Sequence, residues 1–137
     1  MSETNTTTVT FPDVVEGIRA ALAAHAQAQD DGRTDDIADV YCADGVLEVP
    51  GMGSFEGRDA VREAFAGWAP TAPQRHMVSN TVVTDWSERE ASATSDVVFV
   101  QKGDAGWAVQ VAAKYDNRFR NDDGTWRILH RTMHFTM

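Results

Sequence analysis

The sequence predicts a single α+β domain in which three N-terminal helices pack on a strongly curved, mainly antiparallel sheet. Two observations predict this class. Helical periodicity dominates the first half of the 137-residue chain, and long runs of strand-forming residues dominate the second. The hydrophobic content of 42% and the charged content of 24% are those of a globular protein. We therefore expect a flexible polar tail over residues 1–10 and one folded domain over residues 11–137.

Three helices are expected from apolar stripes that are bounded by start and stop signals. The first is expected to begin near Pro12, to bury one apolar face, and to end near Gly32. The second is expected over residues 34–42, with Thr34 as its cap. The third is expected over residues 58–68, because two prolines follow it closely and would stop the helix.

The strands are expected mainly after the third helix, where apolar residues recur at alternate positions. An Asp-Asp-Gly sequence before the last of them supplies the positive φ that a tight turn needs. Strands this long twist and curl, so we expect a cone-shaped α+β barrel with a ligand cavity between sheet and helices. The expected strands cover residues 46–49, 75–86, 91–102, 106–120 and 125–135, and residues 51–57 are expected to form a loop.

The charge balance limits the partners that this chain can have. Twelve basic residues against 21 acidic ones give a net charge of −9, which argues against binding to nucleic acid or anionic membranes. No signal segment and no apolar run long enough for a bilayer is found, so we expect a cytoplasmic protein. Cys42 is the only cysteine and the four histidines lack the spacing of metal ligands, so neither a disulfide nor a metal site is expected.

Five short segments follow one another in the order found in a known family. They are residues 28–37 (AQDDGRTDDI), 41–46 (YCADGV), 55–60 (FEGRDA), 75–80 (RHMVSN) and 124–128 (GTWRI). With the expected element order, they make the chain resemble the SnoaL-like members of the nuclear transport factor two-like superfamily. The resemblance implies the fold but not one reaction, because this fold hosts dehydratases, isomerases, cyclases, epoxide hydrolases and binding modules.

His76 and Asp30 are the first candidates for catalysis. The scytalone dehydratases that this chain resembles carry an acid/base histidine in a His-x-x-x-x-Thr strand, a spacing that His76 and Thr81 match. The same resemblance implies that Asp30 pairs with His76, where a carboxylate would fix the imidazole tautomer and stabilise its charged form. The alternatives are a core histidine bonded to a backbone carbonyl and an aspartate that solvates a helix end.

Other side chains are expected to contact a bound substrate. His25 stands where ketosteroid isomerases and bile-acid dehydratases, which resemble this segment, have a hydrogen-bonding tyrosine; packing is the alternative. Asn80 would share the inward face of its strand with His76. The aromatic candidates for substrate binding are Tyr41, Trp68 and Tyr115.

The first strand departs from the ketosteroid isomerase pattern. Those enzymes carry their general base as an acid directly before the proline of this strand, and here Val49 has that position. Glu48 comes one place earlier and therefore points to the opposite face. Steroid isomerisation by that base is accordingly not expected.

Asp116 and Arg131 are expected to supply charge at the base of the cavity. Counting along the two strands from the Asp-Asp-Gly turn allows the two residues to form a charged pair. Arg131 would then bind an enolate or a carboxylate, and Asp116 would be a second acid or base. A bulge would shift the register by one residue and bring other side chains into their place, namely Tyr115, Asn117, His130 and His134.

Three functions remain open from the sequence. The first is a cofactor-independent enzyme that moves protons on a small apolar, oxygenated substrate such as a polyketide, a terpenoid or a steroid-like compound. Dehydration, isomerisation or cyclisation would result. The second is a noncatalytic small-molecule-binding or assembly module, and the third is an epoxide hydrolase. Apolar residues on the outer face of the sheet also predict a homodimer.

Overall fold

The computed structural model describes residues 8–136, so most of the tail expected over residues 1–10 lies outside the described residues. In this range three helices pack on a six-stranded sheet, and the α+β class is confirmed. The strand order is β2-β1-β6-β5-β4-β3, in which only β1 and β6 run parallel, and the curved sheet stays open. The elements are α1 (Phe11–Asp31), α2 (Thr34–Asp39), β1 (Tyr41–Val49), β2 (Gly53–Glu56), α3 (Arg58–Gly67), β3 (Gln74–Trp86), β4 (Glu90–Gly103), β5 (Gly106–Asp122) and β6 (Thr125–Phe135).

The ends of α1 follow from its sequence. Thr10 and Asp13 form a capping box, in which each side chain accepts a hydrogen bond from the other residue's backbone N–H. Gly32 ends the helix with a left-handed φ of 71°, a conformation in which a side chain would be strained. No helix among the described residues is long and apolar enough to cross a membrane.

The segment after α1 differs from the prediction. The second helix ends at Asp39 rather than residue 42, and Arg33 rather than Thr34 takes the capping position. Tyr41 instead begins β1, where it pairs with Ile128 of β6. This long-range pairing outweighs the local helical pattern, as tertiary contacts commonly do. The expected loop over residues 51–57 also contains β2, which pairs with β1 as a hairpin.

Two bulges decide which side chains face the helices. In β3, residues 80 and 81 together stand opposite Ser95 alone, and Asn80 has a positive φ of 52°. In β6, Leu129 is the extra residue, because Arg118 pairs with His130 while Phe119 pairs with Ile128. Since side chains alternate along a strand, each bulge reverses the faces of the residues that follow it, in β3 as far as a second irregularity at Thr84.

The main core lies between α1 and the sheet. Val14, Ile18 and Leu22 of α1 are at most 5% exposed and belong to one cluster with Phe119 and Ile128. Burying an aliphatic side chain of this kind contributes about 1.5–3 kcal/mol. At Gly17 the helix packs against β6, and an added Cβ atom would overlap the indole ring of Trp126.

Gly17→Ala is expected to destabilise the fold by about 1–3 kcal/mol, because the added methyl group collides with a buried indole. Helix propensity alone would have the opposite effect and stabilise by about 0.5–1 kcal/mol. Urea unfolding measures the free energy of unfolding of this variant, of a control variant and of the wild-type protein. The control is Gly67→Ala at the end of α3, where no atom lies within 4 Å of the added carbon. A gain in stability for Gly17→Ala would contradict the packing of α1 on β6.

Candidate functional site

A cavity of about 240 Å³ lies between the sheet, the end of α1 and α3. This volume is below the common range of about 300–1,000 Å³ for ligand pockets, so it suits a small ligand. Its lining is mostly apolar. The polar exceptions are Gln29, Gln74, His76, Tyr115 and Arg131, and the apolar lining includes Leu47, Val49, Phe65, Trp68, Val97, Phe99, Val111 and Met133.

The Asp30 carboxylate holds His76 through both of its oxygens. Oδ2 accepts the backbone N–H of His76 at 2.8 Å, and Oδ1 lies 2.7 Å from the ring Nδ1. Oδ1 also accepts a hydrogen bond from Gln74 Nε2 at 3.2 Å. The Asp30 side chain is 7% exposed and that of His76 is 11% exposed. The two residues that the sequence analysis pairs are therefore in direct contact, while their catalytic roles stay predictions.

The contact with Asp30 fixes the tautomer of His76. Because a carboxylate can only accept, Nδ1 carries the proton, and Nε2 of the neutral ring keeps its lone pair. Burial lowers the pKa of His76, and the hydrogen bond and charge of Asp30 offset this only in part. The neutral ring therefore predominates at pH 7. Nε2, which has no hydrogen-bond partner among residues 8–136, is available as a base on the cavity wall.

Arg131 faces the cavity because of the bulge at Leu129. The bulge sets Arg131 opposite Asn117, whose Oδ1 accepts a hydrogen bond from Nε at 2.9 Å. The guanidinium carbon lies 3.7 Å from the centre of the Tyr115 ring, within the range of a cation–π interaction. Asp116 is opposite Thr132 and exposed on the outer face, so the expected pair of Asp116 and Arg131 is wrong.

His25 and Tyr41 form a buried layer behind the cavity wall. His25 Nε2 and the Tyr41 hydroxyl are 2.9 Å apart, and neither side chain lines the cavity. Burial, with the charge of Arg131, lowers the pKa of His25 well below 6.5, and burial raises the pKa of Tyr41 to about 12. Both groups are therefore neutral at pH 7. Direct contact with a ligand, expected for both residues, is not what this geometry provides.

The remaining predicted substrate contacts have mixed outcomes. Trp68 and Tyr115 line the cavity, and Trp68 packs edge-on against Phe65 at 5.3 Å between ring centres. Asn80 does not reach it, because the bulge in β3 turns its side chain outwards, where Nδ2 donates to Asp96 at 2.7 Å. Glu48 likewise faces away from the cavity and lies beside His130, as the alternation along β1 predicts.

Three further residues of the site went unrecognised or unassigned in the sequence. Gln74 precedes His76 by two positions, so its place on the same face was readable from the strand pattern alone. Phe99 stacks on the His76 ring with centres 4.6 Å apart, a contact that depends on how β4 pairs with β3. Asn117 was named only as an outcome of a register shift. Within the described residues, no group of three or more His, Cys, Asp or Glu side chains could hold a metal ion.

Sequence comparison finds one family. The family model for the SnoaL-like domain matches residues 13–132, which is most of the chain. No curated protein matches the chain.

Solved structures share the fold at low sequence identity. A provisionally named scytalone dehydratase from Novosphingobium aromaticivorans has a TM-score of 0.80 at 20% identity, covering 90% of this chain and 85% of its own. An NTF2-like protein with a cystatin-like fold from the same organism has a TM-score of 0.81 at 19% identity, covering 88% and 80%. The beta subunit of a provisionally named aromatic-ring-hydroxylating dioxygenase, again from that organism, has a TM-score of 0.80 at 20% identity, covering 93% of both chains.

His25→Phe is expected to destabilise the protein by about 1–3 kcal/mol, because it removes a hydrogen-bond partner from the buried Tyr41 hydroxyl. Tyr41→Phe should cost a similar amount, and the double variant should cost less than the sum by about 0.5–3 kcal/mol. Urea unfolding of the four proteins at pH 7.5 measures this coupling. Additive losses would show that the two groups do not depend on each other.

Proposed function

Because the chain belongs to the SnoaL-like domain family, we propose that it is a cofactor-independent acid/base enzyme. Its substrate would be a small, largely apolar, oxygenated compound of the polyketide, terpenoid or steroid-like type. The reaction would be a dehydration, an isomerisation or a cyclisation. The observation that carries the proposal is the contact of Asp30 with His76 at 2.7 Å on the wall of an apolar cavity.

His76 supplies the proton transfers in this proposal. Its unprotonated Nε2 removes a proton from a carbon next to a carbonyl group, and the resulting imidazolium is stabilised by the Asp30 carboxylate. In a dehydration the imidazolium then protonates the departing hydroxyl, so that a C–H and a C–O bond break, a C=C bond forms and water leaves. In an isomerisation it returns the proton to another carbon. General acid–base catalysis of this kind increases a reaction rate by about 10²- to 10⁴-fold.

Arg131 supports the same chemistry from the cavity wall. Removing a proton beside a carbonyl group places negative charge on the carbonyl oxygen, and a nearby guanidinium stabilises that charge most strongly where water is excluded. Arg131 is 3% exposed and is held by Asn117 and Tyr115. Its orientation is therefore set before a substrate arrives, which is what electrostatic stabilisation requires.

A noncatalytic assembly module is the second candidate. The likeness to the beta subunit of a ring-hydroxylating dioxygenase favours it, although that likeness extends to the fold alone. This alternative predicts that the protein binds a ligand without converting it, and that Asp30→Asn leaves this binding unchanged. The enzyme proposal predicts instead that Asp30→Asn slows turnover.

We also propose that a second copy of the chain covers the outer face of the sheet. Met77, Trp107 and Val109 lie together there, and each is at least 50% exposed. A contiguous apolar surface of this kind is typical of an interface.

His76→Gln is expected to lower turnover of small β-hydroxy ketones by about 10²- to 10⁴-fold, because the base is lost. Asp30→Asn should also slow turnover. It should move the acid limb of kcat/KM to lower pH, because the carboxylate that raises the pKa of His76 is gone. In the wild-type protein this limb lies below pH 6.5, since only neutral His76 accepts a proton. Absorbance of the conjugated enone measures the rates.

The matched control for this pair is His134→Gln, which changes an exposed histidine at the end of β6. It should leave both turnover and the pH profile unchanged. Thermal unfolding of all three variants separates a lost base from a lost fold. Unchanged turnover by folded His76→Gln would rule out the acid/base proposal.

Trp107→Glu is expected to convert a homodimer to a monomer, because it places a charge in the centre of the proposed interface. Sedimentation velocity measures the mass of each species. Met52→Glu is the control, since Met52 is 56% exposed but follows β1 near the opposite edge of the sheet. A wild-type protein that sediments as a monomer at all concentrations would disprove the dimer.

A further inference from the structure

Arg131 is a buried cation whose charge no neighbouring carboxylate balances. Within residues 8–136 it forms no salt bridge, and its Nε donates to the neutral amide of Asn117. The guanidinium lies over the Tyr115 ring, which stabilises a cation less well than a carboxylate does. A buried charge without a counter-charge costs several kcal/mol unless a partner is supplied.

Asp30, the buried carboxylate beside His76, does not fill this need. Asp30 is already engaged by the backbone N–H of His76, by its ring Nδ1 and by Gln74 Nε2. Its oxygens are therefore directed towards the start of β3 rather than towards Arg131. The two histidines nearby do not change the balance, because burial lowers the pKa of His25 and of His76 and leaves both neutral at pH 7.

Asn117, which accepts the hydrogen bond of Arg131, brings no negative charge to the site. Asn117 is fully buried, and its Nδ2 group has no acceptor among the described residues. Asn117 does not line the cavity and its Nδ2 is enclosed, so a ligand of the cavity would meet the guanidinium of Arg131 and not this amide. The buried N–H groups of a guanidinium normally find a partner in the protein, in ordered water or in a ligand.

We propose that the ligand of this cavity carries an anionic oxygen group that binds Arg131, while its apolar part fills the rest of the cavity. The proposal rests on the proposed function only in placing the substrate in this cavity, and it names the class of that substrate. The anionic oxygen can belong to a carboxylate or to an ionised phenol or enol. A planar guanidinium binds such groups through charge-assisted hydrogen bonds, which are about twice as strong as neutral ones.

The experiment compares two probes of nearly the same shape, 2-naphthoate and the neutral 2-naphthamide, by titration calorimetry at pH 7.5. The wild-type protein should bind 2-naphthoate about ten- to a hundredfold more tightly, the range that a hydrogen bond to a charged group supplies. Arg131→Met should remove this preference. Arg118→Met is the matched control, because Arg118 is exposed on the outer face and paired with Glu90, and it should keep the preference.

A second neutral variant, Arg131→Gln, tests whether Arg131→Met loses the preference because of the missing charge or because it fails to fold. Arg131→Gln removes the charge but retains an N–H group that can donate to Asn117 Oδ1. It should fold and bind both probes equally. Equal affinity of the wild-type protein for 2-naphthoate and 2-naphthamide, or a preference that survives in the folded Arg131→Gln variant, overturns the proposal.

Two further measurements separate the sources of the anion and the two proposals. Tighter binding of 2-naphthoate than of 2-naphthol assigns a carboxylate, whereas tighter binding of 2-naphthol with naphtholate absorbance assigns a phenol or enol. His76→Gln and Asp30→Asn should keep the preference for an anion even where turnover is lost. Loss of turnover in these variants without any anion preference in the wild-type protein would sink this inference and leave the acid/base proposal standing.

Discussion

The hydrogen bonds of Asp30 join the end of α1 to the start of β3, and the candidate site depends on them. A carboxylate in the last turn of a helix is unfavourable because it adds to the negative end of the helix dipole. Here the backbone N–H of His76, its ring and Gln74 all donate to that carboxylate and compensate for the unfavourable position. The contact of Oδ1 with the ring Nδ1 also holds the imidazole in one tautomer on the cavity wall. One interaction therefore serves both the packing of helix on sheet and the chemistry proposed for His76.

Two charges of opposite sign, those of Asp30 and Arg131, act on His76. Asp30 raises the pKa of His76, whereas burial and the charge of Arg131 lower it. Because interactions between charges are strong where water is excluded, the neutral state of His76 depends on this balance. An anion bound at Arg131 would cancel part of the lowering effect. Under the proposal made above, ligand binding would then make His76 a stronger base at the moment when a proton is to be removed.

Most of the fold and half of the site follow from local patterns, and the rest depends on how the strands pair. The bounds of β6 match the prediction, and the first half of β3 directs His76 inwards as expected, because the alternation there is uninterrupted. The prediction that Asn80, four residues later, faces inwards is wrong. Its positive φ is one that asparagine tolerates but does not require, so the sequence gives no sign that a bulge occurs at this position. The prediction of a helix at Tyr41 is wrong because the apolar neighbours of this residue suit a helix as well as a strand.

The bulge at Leu129 places the positive charge of Arg131 on the cavity wall. Counting from the turn without a bulge sets residue 131 opposite Asp116, on the outer face, where the two side chains could form an ordinary surface ion pair worth little. With one extra residue in β6, Arg131 turns inwards and meets Asn117 instead. The register with the bulge therefore has a single buried cation without a carboxylate partner, where the register without it would have a solvated ion pair. Such an arrangement is unfavourable for stability alone, which is why the unbalanced charge is better understood as part of a binding site than as part of the core.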